Sequence, residues 1–188
     1  MKKRIVTMLV IALALVLIGG ATFGCSRGES NSEPEAKPTK EEDIAEKREK
    51  QFICPTEEFV LERVRKIDEV TAAEAVTEDN DPNGNLNKAG GYTATIYFES
   101  RNVDKEEHWL GDDVIDNGTN GGGAVEVYAN KEDAEKRDKY LSTFDGTPFS
   151  SGSHKQVGTC IIRTSDYLTA TQQKTLEQKV IDALGRVD

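Results

Sequence analysis

The chain has 188 residues, with 34 acidic side chains against 24 basic ones and a net charge of −10 at neutral pH. Acidity of this size, without a cluster of lysine and arginine, argues against nucleic-acid binding, which draws its affinity from such clusters. It suits a soluble surface protein that meets cations or basic partners.

Lys2, Lys3 and Arg4 precede an apolar run from Ile5 to Ile18, and the segment Gly19-Gly20-Ala21-Thr22-Phe23-Gly24 then ends at Cys25. A basic start, an apolar core and a small-residue processing site make an export signal. The arrangement resembles the signal of bacterial lipoproteins. That resemblance implies a signal peptide over residues 1–24 that is removed, with acyl chains attached to Cys25. Uncleaved, the stretch from Ile5 to Gly24, polar only at Thr7 and Thr22, is close to the length of a membrane anchor. In both cases the positive charge stays inside, so the rest of the chain lies on the extracytoplasmic face of the membrane. A lipid anchor with two acyl chains gives stable attachment where one chain binds only marginally. Loss of the three amino-terminal cations from a chain at −10 leaves about −13.

Residues 25–51 read as the lipidated cysteine and an acidic tether. From Ser26 to Gln51 there is no aromatic residue, and Ile44 is the one large aliphatic. Such a stretch cannot bury enough apolar area to offset its ordering entropy. It is predicted to be disordered, with a frayed helix from Lys40 onward, and to span roughly 28 Å as a coil.

Residues 52–188 fit one domain with one core. Pro55, Thr56, Glu57 and Glu58 open a helix whose face is Val60, Leu61, Val64 and Ile67. Val70 to Val76 favours a strand. Gly91 to Glu99 is a clearer one, because Tyr92, Ala94, Ile96 and Phe98 alternate with Thr93, Thr95, Tyr97 and Glu99 as in a half-buried strand. Ala124 to Tyr128 repeats the pattern with Val125 and Val127 inward.

Asn130 caps a second helix, supported by the four-residue pairs Glu132 with Lys136, Asp133 with Arg137 and Glu135 with Lys139. Its buried side is Ala134, Leu141 and Phe144. Val157 to Arg163 is a fourth strand. Thr169 with Gln172 forms a capping box, and Leu176, Val180 and Leu184 give the last helix its stripe. The expected fold is α+β, a small four-stranded antiparallel or mixed sheet covered on one face by about three helices. The segments EAVTEDNDPNG, GGYTATIYFES, GGGAVEVYANKEDAEKR and GSHKQVGTCIIRTSDYLTATQQKTLE resemble a domain of exported Gram-positive proteins. Over residues 55–185 the resemblance implies a fold and a location, and no catalytic residue.

Four features are candidate sites. Asp79, Asp81 and Asn83, followed by Gly84, follow the front half of a calcium loop, with the Asn85 carbonyl as a fourth donor. Gly90 stands where that loop needs a bidentate glutamate, and the same residues equally make a turn between strands. Calcium is the one cofactor candidate. Trp109 with Asp112 and Asp113 forms an acidic aromatic loop that either grips a cationic or sugar-like partner or plugs the loop onto the core. Gly118 to Gly123 reads as a flexible connection, because a phosphate cradle needs a following helix and a Lys-Ser/Thr pair. Cys54 and Cys160 either pair in an oxidising compartment or stay as thiols, with the disulfide favoured.

No catalytic constellation is complete. His154 sits beside Ser153, yet no Gly-x-Ser-x-Gly elbow is present, and His108 and His154 lack metal-ligand spacing. The sequence therefore favours a membrane-anchored extracytoplasmic lipoprotein, not an enzyme, whose domain binds an unknown ligand or cell-envelope protein. The alternatives are a cell-envelope hydrolase, using His154 with Ser153 or the acids around Asp113, and a calcium-stabilised surface adhesion module.

Overall fold

The computed structural model describes residues 39–147 and 152–187. The expected signal peptide over residues 1–24, Cys25 and the expected tether up to residue 38 lie outside the described residues. Among those residues no helix is long and apolar enough to cross a membrane.

The architecture is α+β, with a five-stranded antiparallel sheet in the order β1-β2-β3-β5-β4. The strands are β1 (Val70–Ala75), β2 (Tyr92–Ser100), β3 (Gly122–Tyr128), β4 (His154–Val157) and β5 (Cys160–Thr164). Among the described residues five helices accompany them, where about three were expected: α1 (Lys40–Lys50), α2 (Glu57–Arg65), α3 (Val114–Asn117), α4 (Lys131–Ser142) and α5 (Ala170–Leu184). A 3₁₀ turn, Gly118–Gly121, leads into β3.

Local chemistry explains most boundaries. Thr39 with Glu42 and Thr169 with Gln172 form complete capping boxes, while Thr56, Asp113 and Asn130 cap the other three helices through their side chains. The expected face of α2 is seen, with Val60 and Val64 buried, and so is the stripe of α5 at Leu176, Val180 and Leu184, joined by Ile181. In α4, Ala134 and Leu141 are buried as expected, whereas Phe144 lies past the helix end and is only half-buried.

Three expectations need correction. The single fourth strand is two, since the chain reverses at Gly158-Thr159 and β4 pairs back onto β5, from Val157 opposite Cys160 to His154 opposite Arg163. Gly158 has φ +59, and a turn of two residues only briefly interrupts the β-branched pattern of residues 157–163. Helices cover both faces of the sheet instead of one. Consequently β2 and β3 are buried on both sides, and every residue of β3 is inaccessible. The glycine run is also more than a connection, because Gly122 and Gly123 are strand residues. A Cβ on Gly123 would come within 2.4 Å of both the Phe98 ring and the Arg163 carbonyl oxygen, so only glycine fits.

The two faces differ in chemistry. On one, α2 and α5 pack Val60, Val64, Leu176 and Val180 against Ile96, Phe98, Val125, Val127 and Ile162. On the other, α3, α4 and the loop between β1 and β2 cover Tyr92, Tyr97, Ala124, Tyr128 and Ile161. A register shift between Tyr92 and Ala94 puts Tyr92 on this second face, opposite Tyr128.

The helix expected to fray is well formed. α1 buries no residue, but Arg48 pairs with Asp182 of α5 at 2.7 Å. Phe52, just beyond it, is buried, and its carbonyl accepts from the Thr159 backbone N–H at 2.9 Å and the Thr159 hydroxyl at 3.2 Å. The Cys54 N–H in turn donates to Thr159 Oγ1 at 2.7 Å.

Candidate functional site

The second face carries a cleft between α4 and the loop of residues 77–91, with a volume of about 440 Å³. Behind Arg137 and Tyr128, which line it, lies Glu126. In β3 the alternation Ala124, Glu126, Tyr128 points to this face, so the carboxylate lies beneath α4 and is only 1% exposed. A carboxylate buried alone would be prohibitively unfavourable. Here it accepts four hydrogen bonds: from Arg137 Nε at 2.8 Å and Nη2 at 2.7 Å, from Arg163 Nη1 at 3.0 Å and from the Tyr128 hydroxyl at 2.9 Å.

Arg137 belongs there because of helix geometry, since it falls between Ala134 and Leu141 on the inward stripe of α4. The expected Asp133–Arg137 pair is therefore not the contact made. Arg137 reaches down to Glu126, and Asp133 bonds Asn130 and Lys136 instead. Burial pushes the Glu126 carboxyl up, but the bonds and charge of Arg137, with Arg163 and Tyr128, outweigh it and hold the group below the usual carboxylate range. Burial likewise opposes the Arg137 cation, and Glu126 more than compensates.

The loop forms the opposite wall, and Asp81 organises it. One carboxylate oxygen accepts from the Asn83 N–H at 3.1 Å and from the Tyr92 hydroxyl, and the other from the N–H groups of Asn85 at 2.6 Å and Leu86 at 2.8 Å. Burial raises the Asp81 carboxyl, but these bonds together keep it below its ordinary value. Burial, then the bond to Asp81, raises the Tyr92 hydroxyl, so Tyr92 stays a neutral donor. Asn83 Nδ2 donates to the Tyr97 hydroxyl at 3.0 Å. Gly91 closes the loop, where a Cβ would lie 2.0 Å from the Asn85 carbonyl oxygen.

At the calcium candidate Asp79, Asp81 and Asn83, the structure places Asp81 at the centre of the loop's own hydrogen bonds. Both Asp81 oxygens are occupied by donors, and the loop is the strand-connecting turn. Among the described residues, no group of three His, Cys, Asp or Glu side chains is placed to hold a metal ion.

The cleft is lined by Tyr92, Tyr128, Tyr140, Asn83, Asn85 and Arg137, among others. Tyr92 and Tyr128 meet edge to face at 6.4 Å and form the inner wall. Tyr140 stands at the mouth, 55% exposed, beside Arg137 and edge to face with Phe144. Each charged side chain along the wall has an internal counter-charge: Arg137 with Glu126, and Lys136 with Glu132 and Asp133. What remains open to a ligand is the Tyr140 ring with neutral amide groups of the loop, because Tyr92 and Tyr128 are only 2% and 3% exposed.

The other sequence candidates lie elsewhere. Trp109 is 93% exposed and so does not plug its loop onto the core. Asp113 caps α3, accepting from the N–H groups of Ile115 at 2.8 Å and Asp116 at 2.9 Å, and Asp112 is exposed. The favoured disulfide is not present. Cys54 is exposed, while Cys160 is buried in the apolar core and its thiol points to the Phe52 carbonyl at 3.9 Å. Burial, with a smaller effect of nearby Cys54, pushes the Cys160 thiol up to about 12.

Ser153 and His154 do not face each other. The Ser153 hydroxyl engages Thr164 Oγ1 at 2.8 Å and Glu177 at 3.2 Å. His154 instead places Nε2 at 3.2 Å from Ser142 Oγ, with Asp138 and Asp145 each 3.7 Å from its ring nitrogens. Ser142 also donates to the Asp138 carbonyl at 2.9 Å, so its proton serves the helix end.

Sequence reasoning missed Glu126, Arg137, Arg163 and Tyr128 as one cluster. The available signal was an arginine on the inward stripe of α4, which demands a buried acid beneath it. No known family model matches this chain, and no curated protein and no solved structure proves significantly similar to it.

Proposed function

We propose that the chain is an extracytoplasmic lipoprotein, held to the membrane through Cys25, whose folded domain is a non-catalytic binding module. The cleft between α4 and the 77–91 loop is its ligand site, and the ligand is small, polar and uncharged, of the sugar kind. One observation carries this reading: the charges along the cleft are balanced internally, while Tyr92, Tyr128, Tyr140 and the Asn83 and Asn85 side chains line it. The open Tyr140 ring beside neutral amide groups suits a ring that is apolar on one side and hydroxylated at its edge.

Calorimetric titration of the full chain with neutral mono- and disaccharides tests the ligand class. Binding is expected for neutral sugars and is expected to weaken about tenfold in Tyr140→Ala, in line with roughly 1.4 kcal/mol for a lost aromatic contact. Absence of heat with neutral sugars, or tighter binding of their acidic or amino counterparts, overturns it. The anchor is tested separately by metabolic labelling with palmitate. Wild-type protein takes up label and sediments with membranes, whereas Cys25→Ala does neither; an unlabelled wild-type chain refutes the lipoprotein reading.

A hydrolase reading is favoured by one contact, the 3.2 Å approach of Ser142 Oγ to His154. A fluorophosphonate that labelled wild-type protein but not Ser142→Ala would establish it in place of the binding module.

A further inference from the structure

The loop between β2 and α3 presents a second surface, separate from the cleft. Its base is fixed by Glu99, which is 5% exposed and pairs with Lys105 Nζ at 2.7 Å. Asn117, also buried, donates to Glu99 at 2.9 Å and clasps Gly111 through both its amide atoms, accepting from Gly111 N at 3.0 Å and donating to Gly111 O at 2.9 Å. His108 stacks face to face on Tyr167, with ring centres 3.7 Å apart and planes 4° from parallel. Leu110 packs against the apolar core, and its N–H closes the turn onto the Lys105 carbonyl at 2.9 Å.

Between these two inward-directed residues stands Trp109, with φ +57 and 93% exposure. A left-handed backbone is uncommon for a bulky side chain, and here the fixed residues on each side turn the indole outward. The largest apolar side chain of the protein is thus held in solvent by a braced loop. The exposed charged residues next to it in the sequence are all acidic. Glu106, Glu107 and Asp112 lie within three residues of Trp109 and are exposed, and three residues span at most about 11 Å. Lys105, the cation of this stretch, is committed to Glu99.

We infer that the Trp109 loop is a docking point for a lysine- or arginine-bearing segment of another protein. Charge complementarity selects this occupant. An interfacial membrane role, which exposed tryptophan otherwise suits, is opposed by carboxylates facing an anionic lipid surface. A small free cation needs a cage of several aromatic faces, and Trp109 offers a single open ring. Cation–π contact at an exposed ring is weak by itself. It becomes useful when a partner surface covers the ring and excludes water, as interface anchors require.

Trp109 is the single tryptophan of the chain, so its emission reports the contact directly. The experiment titrates the full-length chain with a hexa-arginine peptide. Hexaglutamate, phosphatidylglycerol vesicles and a neutral trisaccharide serve as the other arms. Hexa-arginine is expected to shift the emission saturably and to bind less tightly as salt rises. By calorimetry, Trp109→Ala weakens that binding about 5- to 30-fold, and the combined Glu106→Gln, Glu107→Gln, Asp112→Asn variant removes its salt dependence. Both variants keep the wild-type melting temperature, since none of these side chains is buried. An unchanged affinity in Trp109→Ala overturns the inference. So does an emission shift produced by vesicles or trisaccharide and not by hexa-arginine.

Discussion

The two faces of the sheet solve the same packing problem with different materials. Beneath α2 and α5 the contact is dry, with Val60, Val64, Leu176 and Val180 against Ile96, Phe98, Val125 and Ile162. Beneath α4 and the 77–91 loop the equivalent depth is held by Glu126, two arginines, three tyrosines and the Asp81 turn. Apolar packing is tolerant of neighbours and indifferent to orientation, whereas the polar face fixes Arg137 and Tyr92 in single positions through bonds that leave few alternatives. The cleft opens on this polar side, among side chains held in place.

The sharpest way to break this contrast is Glu126→Leu. It leaves Arg137 without its buried acid and takes one partner from Arg163, and about 3–5 kcal/mol of stability is expected to be lost in urea denaturation. Replacing Arg137 and Arg163 by apolar residues as well should restore much of that loss in the same denaturation, which would show that the cluster serves placement more than stability. Next in size is Gly123→Ala on the dry face. The added methyl meets the Phe98 ring and the Arg163 carbonyl, and a loss of about 1–3 kcal/mol is expected from thermal melts.

Acid provides a graded test. Glu126 and Asp81 both have folded values below those of free carboxyls, so their contribution is complete above about pH 4 to 5 and declines as pH falls through the depressed folded values. Stability should therefore drop below about pH 4, and Glu126→Gln should flatten that drop; an equally steep profile in the variant would assign the acid sensitivity elsewhere. The smallest effect is a gain. Thr95 lies opposite Glu126 on β2, fully buried, and its hydroxyl has no hydrogen-bond partner. Thr95→Val should stabilise the protein by about 1 kcal/mol, measured as a raised melting temperature, because it removes an unpaired polar group without changing shape.

The dry face was legible in the sequence because local signals agree there. Thr169 with Gln172 begins α5, the spacing of Leu176, Val180 and Leu184 defines its stripe, and Ile96 and Phe98 mark the inner side of β2. The polar face was not, because its signals imitate solvent exposure. Thr95, Tyr97, Glu99 and Glu126 look like the wet positions of half-buried strands, and only the second layer of helices shows them buried. Likewise the four-residue rule pairs Arg137 with Asp133, although the stronger partner is eleven positions away in sequence and directly below in space. The reversal at Gly158-Thr159 is hidden for a simpler reason, since it interrupts a β-branched run by only two residues.

The attachment of Phe52 to Thr159 has a mechanical consequence. A chain pulled from its amino-terminal side would transmit tension along α1 to Phe52, where hydrogen bonds from the tip of the β4–β5 hairpin and a buried aromatic ring take the load. Force then enters the sheet at a hairpin turn that is paired along β5 to the central strand β3, bypassing α2. The Arg48–Asp182 pair ties the same amino-terminal side to α5, so two separate elements of the domain share that load.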